Sequence, residues 1–136
     1  MQVKSEWQGG LCFTGLGDSG HEIATDASRE AGGEDRGVSP LELLLHGIAG
    51  CMGIDIVKIL DKKQADIDDV EIEVSGERAD DYPRKFDKIE IDVRVTGSNM
   101  SQKDLEQAVS LSHEKYCSAS NSIAAEQETS CELIEE

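Results

Sequence analysis

Residues 39–60 read SPLELLLHGIAGCMGIDIVKIL and form a long apolar segment between two polar ones. Ser39 can cap a helix, Pro40 suits the first helical position, and Glu42 lies where a capping box needs it. The pattern predicts a helix over 41–60 that is apolar on nearly every face. It is long enough for a membrane span but carries four ionisable side chains: Glu42, His46, Asp55 and Lys58. We therefore predict a helix covered by protein on most sides, and in so small a chain that covering needs a second subunit.

Three glycines interrupt this helix, at Gly47, Gly50 and Gly53. Each costs about 1 kcal/mol of helix stability relative to alanine. We interpret them as positions where another backbone or a ligand comes close to the helix.

The chain before the helix is punctuated by glycine. Residues 2–7, 11–14 and 21–25 read as short strands of a hairpin or meander, separated by glycine-containing turns. Residues 26–38 are polar and read as an exposed loop.

After the helix, apolar residues recur at every second position. Apolar residues alternate with charged ones over 70–74 and over 89–95, which indicates two antiparallel strands. A second helix is predicted over 101–116, a short third helix over 121–126 and a final strand over 131–134. This order indicates an α+β protein with a single domain, residues 1–136.

Composition narrows the classes of function. Thirteen basic and twenty-nine acidic side chains give the 136-residue chain a net charge of −16. Such a surface repels phosphate backbones, so we expect no nucleic-acid partner. The first residues carry no apolar run and predict no signal peptide, so we expect a cytoplasmic protein without membrane association, whose thiols are kept reduced.

Two of the four cysteines lie in settings that suit chemistry. Cys51 is in the middle of the glycine-containing helix, and Cys117 lies where one helix stops and a short one begins, a place that favours a thiolate. Taken singly, each is better explained as a small buried hydrophobic residue. Cys12 and Cys131 fall in strand contexts and are predicted to be packing residues. No two cysteines form a C-x-x-C pair, so we predict no structural zinc site.

Together these segments resemble the OsmC/Ohr proteins, most closely the short YhfA-like branch. The likeness covers nearly the whole chain and rests on six motifs: residues 39–45, Gly50-Cys51, residues 54–57, residues 75–78, residues 82–86 and Lys115-Tyr116-Cys117-Ser118.

The resemblance implies an α+β fold of antiparallel sheets wrapped around long central helices, in an intertwined homodimer with two sites at its interface. It also implies a thiol peroxidase that reduces organic hydroperoxides without a metal, haem or flavin cofactor. By this likeness Cys51 attacks the peroxide and becomes a sulfenic acid, and Cys117 condenses with it to a disulfide. A dithiol reductant, for which a lipoyl-type dithiol is one candidate, then reopens the disulfide.

The chain departs from the family pattern beside the thiol. Active members hold the thiolate with an arginine from the loop before the helix, and a glutamate orients that arginine. This loop offers Arg29 and Arg36, neither of which is in register without a gap; a solvated loop charge is the simpler interpretation of both, and Arg29 is the slightly better candidate for the thiolate. The family glutamate aligns with Leu41, so Glu42 is one place off. Glu42 precedes Cys51 by nine residues, so on a regular helix it faces away from Cys51 unless the chain bends or the partner subunit brings it in. Its role as a helix cap is the preferred interpretation.

Asp55 motivates an alternative function. It follows Cys51 by four residues on the same helix face. A carboxylate there disfavours the Cys51 thiolate unless a nearby cation offsets the negative charge. The alternative is a non-catalytic dimer that binds a small apolar or thiol-bearing ligand.

Overall fold

A computed structural model describes all 136 residues. Its elements, in chain order, are β1 (Val3–Trp7), β2 (Phe13–Gly17), β3 (Glu22–Thr25), a 3-10 turn (Arg29–Ala31), α1 (Pro40–Lys62), β4 (Asp66–Arg78), β5 (Phe86–Ser98), α2 (Gln102–Leu111), a π-helical turn (Ser112–Tyr116), α3 (Ser118–Asn121) and β6 (Glu126–Glu135). The predicted α+β class is confirmed. The chain forms two compact units, Met1–Leu44 and Leu45–Glu136.

The first unit contains the predicted meander. Strands β1, β2 and β3 pair in that order, and both pairs are antiparallel. The turn after β1 is closed by a hydrogen bond from the backbone N–H of Gln8 to the carbonyl of Cys12, at 2.8 Å. Strand β2 begins only at Phe13, so the prediction of a strand context for Cys12 is wrong. Cys12 is buried in the turn instead.

The loop before α1 is organised by one buried carboxylate. Asp26 accepts hydrogen bonds from the backbone N–H groups of Ala27, Glu34 and Arg36, at 2.7, 3.3 and 3.1 Å. The bond from Arg36 is the main reason that the pKa of Asp26 lies below its usual value. Gly33 lies so close to the Ala27 carbonyl that a Cβ would overlap it, which explains the glycine at this tight crossing.

Helix α1 extends slightly beyond the predicted bounds. The Ser39 hydroxyl caps it by accepting from the backbone N–H of Glu42 at 3.3 Å. Within the chain it buries a stripe at four-residue spacing: Ile48, Met52, Ile56 and Leu60. Helix α1 is long and apolar enough to cross a membrane, but the core helices of water-soluble proteins also meet this criterion of length and composition. Only 22% of its most apolar 18-residue window is buried, so one chain covers one side of the helix.

The second unit is built on the sheet β4-β5-β6. Strands β4 and β5 are antiparallel, as the alternating pattern predicts. Strand β6 runs parallel to β5, because the segment containing α2 crosses back to the starting end of the sheet. The buried side chains of β5 and α2 complete the core of this unit: Phe86, Ile89, Ile91, Val93, Val95, Leu105, Ala108 and Val109.

The segment after α2 differs from the prediction. Ser101 and Asp104 form the capping box of α2, but regular α-helix ends at Leu111 and continues as the π-helical turn. The predicted third helix over 121–126 is wrong, because α3 already ends at Asn121 and Glu126 begins β6. Glu126 pairs with Lys88 of β5, and this pairing extends β6 well before the predicted start at Cys131.

Candidate active site

The structure brings Cys51 and Cys117 together. The sulfur atoms of these residues and a carboxylate oxygen of Asp55 all lie within 4.8 Å of one another. Cys51 and Asp55 are one turn apart on α1 and half-buried, while Cys117 is fully buried. Both thiols are free in the structure.

The π-helical turn positions Cys117. The backbone N–H of Cys117 donates to the Ser112 carbonyl at 2.6 Å, a five-residue closure that widens the end of α2. Cys117 then leaves helical geometry and caps α3, where its sulfur accepts from the backbone N–H of Ser120 at 3.4 Å. The predicted setting of Cys117, between one helix and a short one, is confirmed.

The environment of Cys117 favours the neutral thiol, so the prediction that its place at a helix start favours a thiolate is wrong. Burial raises the pKa of the Cys117 thiol above its ordinary value, and the neighbouring Cys51 adds to the rise. Hydrogen bonds from Ser120 oppose this rise. The site therefore holds Cys117 as a protonated thiol close to the more accessible Cys51.

Asp55 is held by a partner that the sequence analysis missed. The Ser112 hydroxyl donates to Asp55 Oδ2 at 2.9 Å and joins the end of α2 to the middle of α1. Ser112 is fully buried and continues the apolar stripe of Leu105 and Val109. A hydroxyl on an otherwise apolar helix face was the available signal, because a buried polar group requires a partner.

A glutamine of β6 fixes the loop that carries Cys117. Gln127 Nε2 donates to the carbonyl oxygens of Ser120 and Ile123, at 2.8 and 3.3 Å, and its Oε1 lies 2.9 Å from His113 Nε2. The Asn121 side chain adds hydrogen bonds to the carbonyls of His113 and Cys117. These bonds connect the π-helical turn, α3 and β6.

A cleft of about 440 Å³ adjoins the thiol cluster at Asp55. Its apolar lining comes from Ile59, Leu111 and Tyr116. Three lysines on or just after the end of α1 also line it: Lys58, Lys62 and Lys63. A cleft with these walls suits a small, mainly apolar molecule with a polar or anionic end.

The remaining predicted site residues belong to the first unit. Arg29 begins the 3-10 turn and is exposed. Arg36 is engaged within the first unit: its guanidinium lies 3.2 Å from a Glu34 carboxylate oxygen of the same loop and donates to the carbonyl of Gly9, in the turn after β1, at 3.0 Å. Glu42 lies in the first turn of α1, at the third helical position that a capping box requires.

This fold and site define a class: α+β proteins in which a thiol on a long, glycine-containing helix faces a second thiol at a helix cap. The chain belongs to the OsmC-like protein family, whose profile matches residues 32–132.

Similarities to individual proteins agree with this family membership. The chain is 39% identical over 118 residues to Protein YhfA of Escherichia coli K12, covering 87% of this chain and 85% of YhfA. The crystal structure of a hypothetical protein from Aquifex aeolicus VF5 is 34% identical, with a TM-score of 0.87 over 99% of this chain and 96% of that one. The organic hydroperoxide resistance protein OhrB of Bacillus subtilis shares the fold at 22% identity, with a TM-score of 0.61 over 97% and 96% of the two chains.

Proposed function

We propose that this protein is a thiol peroxidase that reduces organic hydroperoxides with Cys51 and Cys117. The observation that carries the proposal is the proximity of the two sulfurs, within 4.8 Å, although the cysteines come from elements far apart in the chain. Membership of the OsmC-like family, and a fold shared with a protein named for organic hydroperoxide resistance, support the same chemistry.

The proposed cycle balances with three reactants. The Cys51 thiolate attacks the peroxide ROOH, breaks its O–O bond and becomes a sulfenic acid, while the leaving alkoxide takes a proton to become ROH. The Cys117 thiol then attacks the sulfenic sulfur, forming the Cys51–Cys117 disulfide and releasing water. A dithiol reductant, such as a lipoyl-type dithiol, returns both cysteines to thiols and is itself oxidised to a disulfide. A reducing compartment such as the cytoplasm would supply it.

The cleft beside Asp55 supports an organic substrate. Its apolar side chains, Ile59, Leu111 and Tyr116, would contact the carbon skeleton of ROOH, which hydrogen peroxide lacks. The lysines at its rim suit a substrate with an anionic end.

Arg29 is the arginine that we propose for holding the Cys51 thiolate. Arg36 is engaged by Asp26 and Glu34 of its own loop and by the Gly9 carbonyl, whereas the structure gives Arg29 no ion pair. Glu42 remains a proposed orienting residue by family likeness only. At the helix start the backbone N–H of Glu42 donates to the Ser39 hydroxyl, which caps α1.

We propose a homodimer as the working form. Helix α1 exposes a second apolar side, on which Ile54 is 60% and Val57 42% exposed. A Cβ added at Gly47 or Gly50 would meet no atom within 4 Å, so these glycines leave that side open to another backbone. A second copy of α1 would cover this surface.

The test is a titration of the reduced protein with cumene hydroperoxide, followed by intact-mass and peptide mass spectrometry. We expect one equivalent per chain to produce the Cys51–Cys117 disulfide rapidly, with a mass loss of two hydrogen atoms. Cys51→Ser should abolish peroxide consumption, and Cys117→Ser should stop at the sulfenic acid. Cys131→Ser, which removes a cysteine outside the cluster, is the matched control and should react like the wild type. Full peroxide consumption by Cys51→Ser would overturn the proposal.

The second candidate is a non-catalytic protein that binds a small apolar or thiol-bearing ligand. It is favoured by Asp55, whose carboxylate lies beside both sulfurs and forms no ion pair with a cation of residues 45–136. Saturable binding of such a ligand with the same affinity in Cys51→Ala, together with slow and scattered oxidation by the hydroperoxide, would support this candidate.

A further inference from the structure

The cluster formed by Cys51, Asp55 and Cys117 has the composition of a metal site. Each residue offers one donor atom, and the three donors are mutually within 4.8 Å. They come from two elements: one turn of α1 supplies Cys51 and Asp55, and the α3 cap supplies Cys117. Two sulfurs and one carboxylate oxygen form a donor set that binds thiophilic divalent cations.

We propose that the reduced chain binds one Zn²⁺ ion through the Cys51 and Cys117 thiolates and the Asp55 carboxylate, with a fourth position left for water. The proposal uses the residues of the proposed peroxidase site, but it does not depend on peroxidase activity, because metal binding requires only that both thiols be reduced.

The distances allow this coordination with small movements. Zinc binds cysteine sulfur at about 2.3 Å and carboxylate oxygen at about 2.0–2.2 Å, so tetrahedral ligands lie roughly 3.5–3.8 Å apart. Starting from separations of at most 4.8 Å, the donor atoms need to approach one another by at most about 1.3 Å. Rotation about side-chain torsions is sufficient, since Cys51 and Asp55 are only half-buried.

Charge also favours a cation at this place. With both thiols ionised, the cluster would bring three negative charges together in a partly buried space, and none of the cations of residues 45–136 forms an ion pair with Asp55. A divalent ion offsets two of these charges and allows both cysteines to release their protons.

Two buried serines supply the outer contacts that a metal site needs. The Ser112 hydroxyl donates to Asp55 Oδ2 at 2.9 Å, which orients the carboxylate and leaves Oδ1 without this bond. The backbone N–H of Ser120 donates to the Cys117 sulfur at 3.4 Å, a bond that also stabilises a thiolate. Such outer contacts fix the ligands of known zinc sites.

The proposal makes metal binding and disulfide formation mutually exclusive. Both thiolates are occupied in the metal-bound chain, and a Cys51–Cys117 disulfide offers no thiolate to the ion. Zinc would therefore protect the pair from oxidation, and two-electron oxidation of the pair, with a hydroperoxide reduced to an alcohol and water, would release zinc.

The experiment is a titration of the reduced full chain with Co²⁺, followed by displacement with Zn²⁺. We expect one equivalent of Co²⁺ per chain, a near-ultraviolet thiolate-to-cobalt charge-transfer band, and loss of that band when Zn²⁺ is added. Loss of an outer contact weakens metal binding by about 10–100-fold, so Cys51→Ser and Cys117→Ser, which each remove a direct ligand, should weaken it by about 100-fold or more. Asp55→Asn, which nearly preserves the shape of the side chain but removes its charge, should weaken it by at least about tenfold. Cys131→Ser is the matched control and should bind like the wild type.

The opposite outcomes are distinct. Absence of the charge-transfer band, or unchanged one-to-one binding by Cys51→Ser, would overturn the zinc site and would assign any bound metal to the acidic surface. A chain that shows the band but reduces no hydroperoxide supports the zinc site and contradicts the proposed function. A chain that forms the disulfide rapidly but never shows the band supports the proposed function and contradicts the zinc site.

Discussion

Cys117 is a thiol that the fold keeps neutral. It is fully buried, and the rise in its pKa comes first from that burial and then from the nearby Cys51. A group that binds its proton more tightly in the folded chain than in the unfolded one stabilises the fold at low pH. Its contribution is complete below the ordinary thiol pKa of 9.0 and is lost as the pH rises through the higher value of the folded chain.

The first prediction concerns stability against pH. The free energy of unfolding of the wild type should exceed that of Cys117→Ala by a constant amount, about 1 kcal/mol, at neutral and mildly acidic pH. The difference should shrink as the pH rises above about 9, because the Cys117 thiol of the unfolded wild type then releases its proton while the buried thiol of the folded chain keeps it, and the variant has no such thiol. Urea unfolding over a pH series measures it. Val109→Ala, a truncation of a buried side chain that does not ionise, should show no such trend. A difference that grows with pH would contradict the assignment.

At the scale of elements, the segment between α2 and β6 positions the second thiol. It is short and irregular, and the hydrogen bonds of Gln127 link its π-helical turn, α3 and β6. The geometry of Cys117 therefore depends on a residue of the last strand, ten positions away in sequence.

The second prediction is that Gln127→Leu loosens this segment. Removing three hydrogen bonds from a partly buried amide should lower the free energy of unfolding by about 2 kcal/mol. Backbone amides of residues 117–123 should exchange with deuterium faster than they do in the wild type, while those of β4, which does not pair with β6, should exchange at the wild-type rate. Gln107→Leu, at an exposed glutamine that bonds only the Lys63 ammonium, should change neither measurement appreciably. Unchanged exchange in residues 117–123 would show that the segment holds its shape without Gln127.

The elements that the sequence predicted well are those with a strong local signal. The capped, apolar α1, the alternating β4 and β5, and the glycine-punctuated meander follow from local pattern alone. The end of α2 does not, because a π-helical turn has no distinct periodicity. The start of β6 was missed because residues 126–130 are polar and join the sheet by pairing with β5, a contact distant in sequence.

The candidate site also combines features that have a local sequence signal with features that depend on contacts distant in sequence. The settings of Cys51 and Cys117 on their own elements could be predicted, and so could the presence of Asp55 on the Cys51 side of α1. The meeting of the three residues could not, since spacing along the chain does not say which elements pack together. The Ser112 hydroxyl on Asp55 and the Gln127 contacts also arise only after packing.

On the scale of the whole molecule, charge and apolar surface act in opposite directions. A net charge of −16 keeps copies of the chain apart at low ionic strength. The uncovered side of α1 favours association, because its exposed apolar residues would leave water. A dimer built on α1 should therefore tighten when salt is raised from about 0.01 M to 0.15 M, where the screening length falls from about 30 to 8 Å.

The third prediction tests that dimer through a single side chain. Ile54 is 60% exposed on the open side of α1, so aspartate in its place costs the isolated chain little but would bury a charge in a helix-to-helix interface. We expect the wild type to sediment as a dimer at micromolar concentration and Ile54→Asp as a monomer with an unchanged circular dichroism spectrum. Ile134→Asp is the matched control: Ile134 is 44% exposed on β6, outside the proposed interface, and its variant should remain dimeric. A dimeric Ile54→Asp would place the interface elsewhere, and a monomeric wild type at physiological salt would leave α1 exposed in the working form.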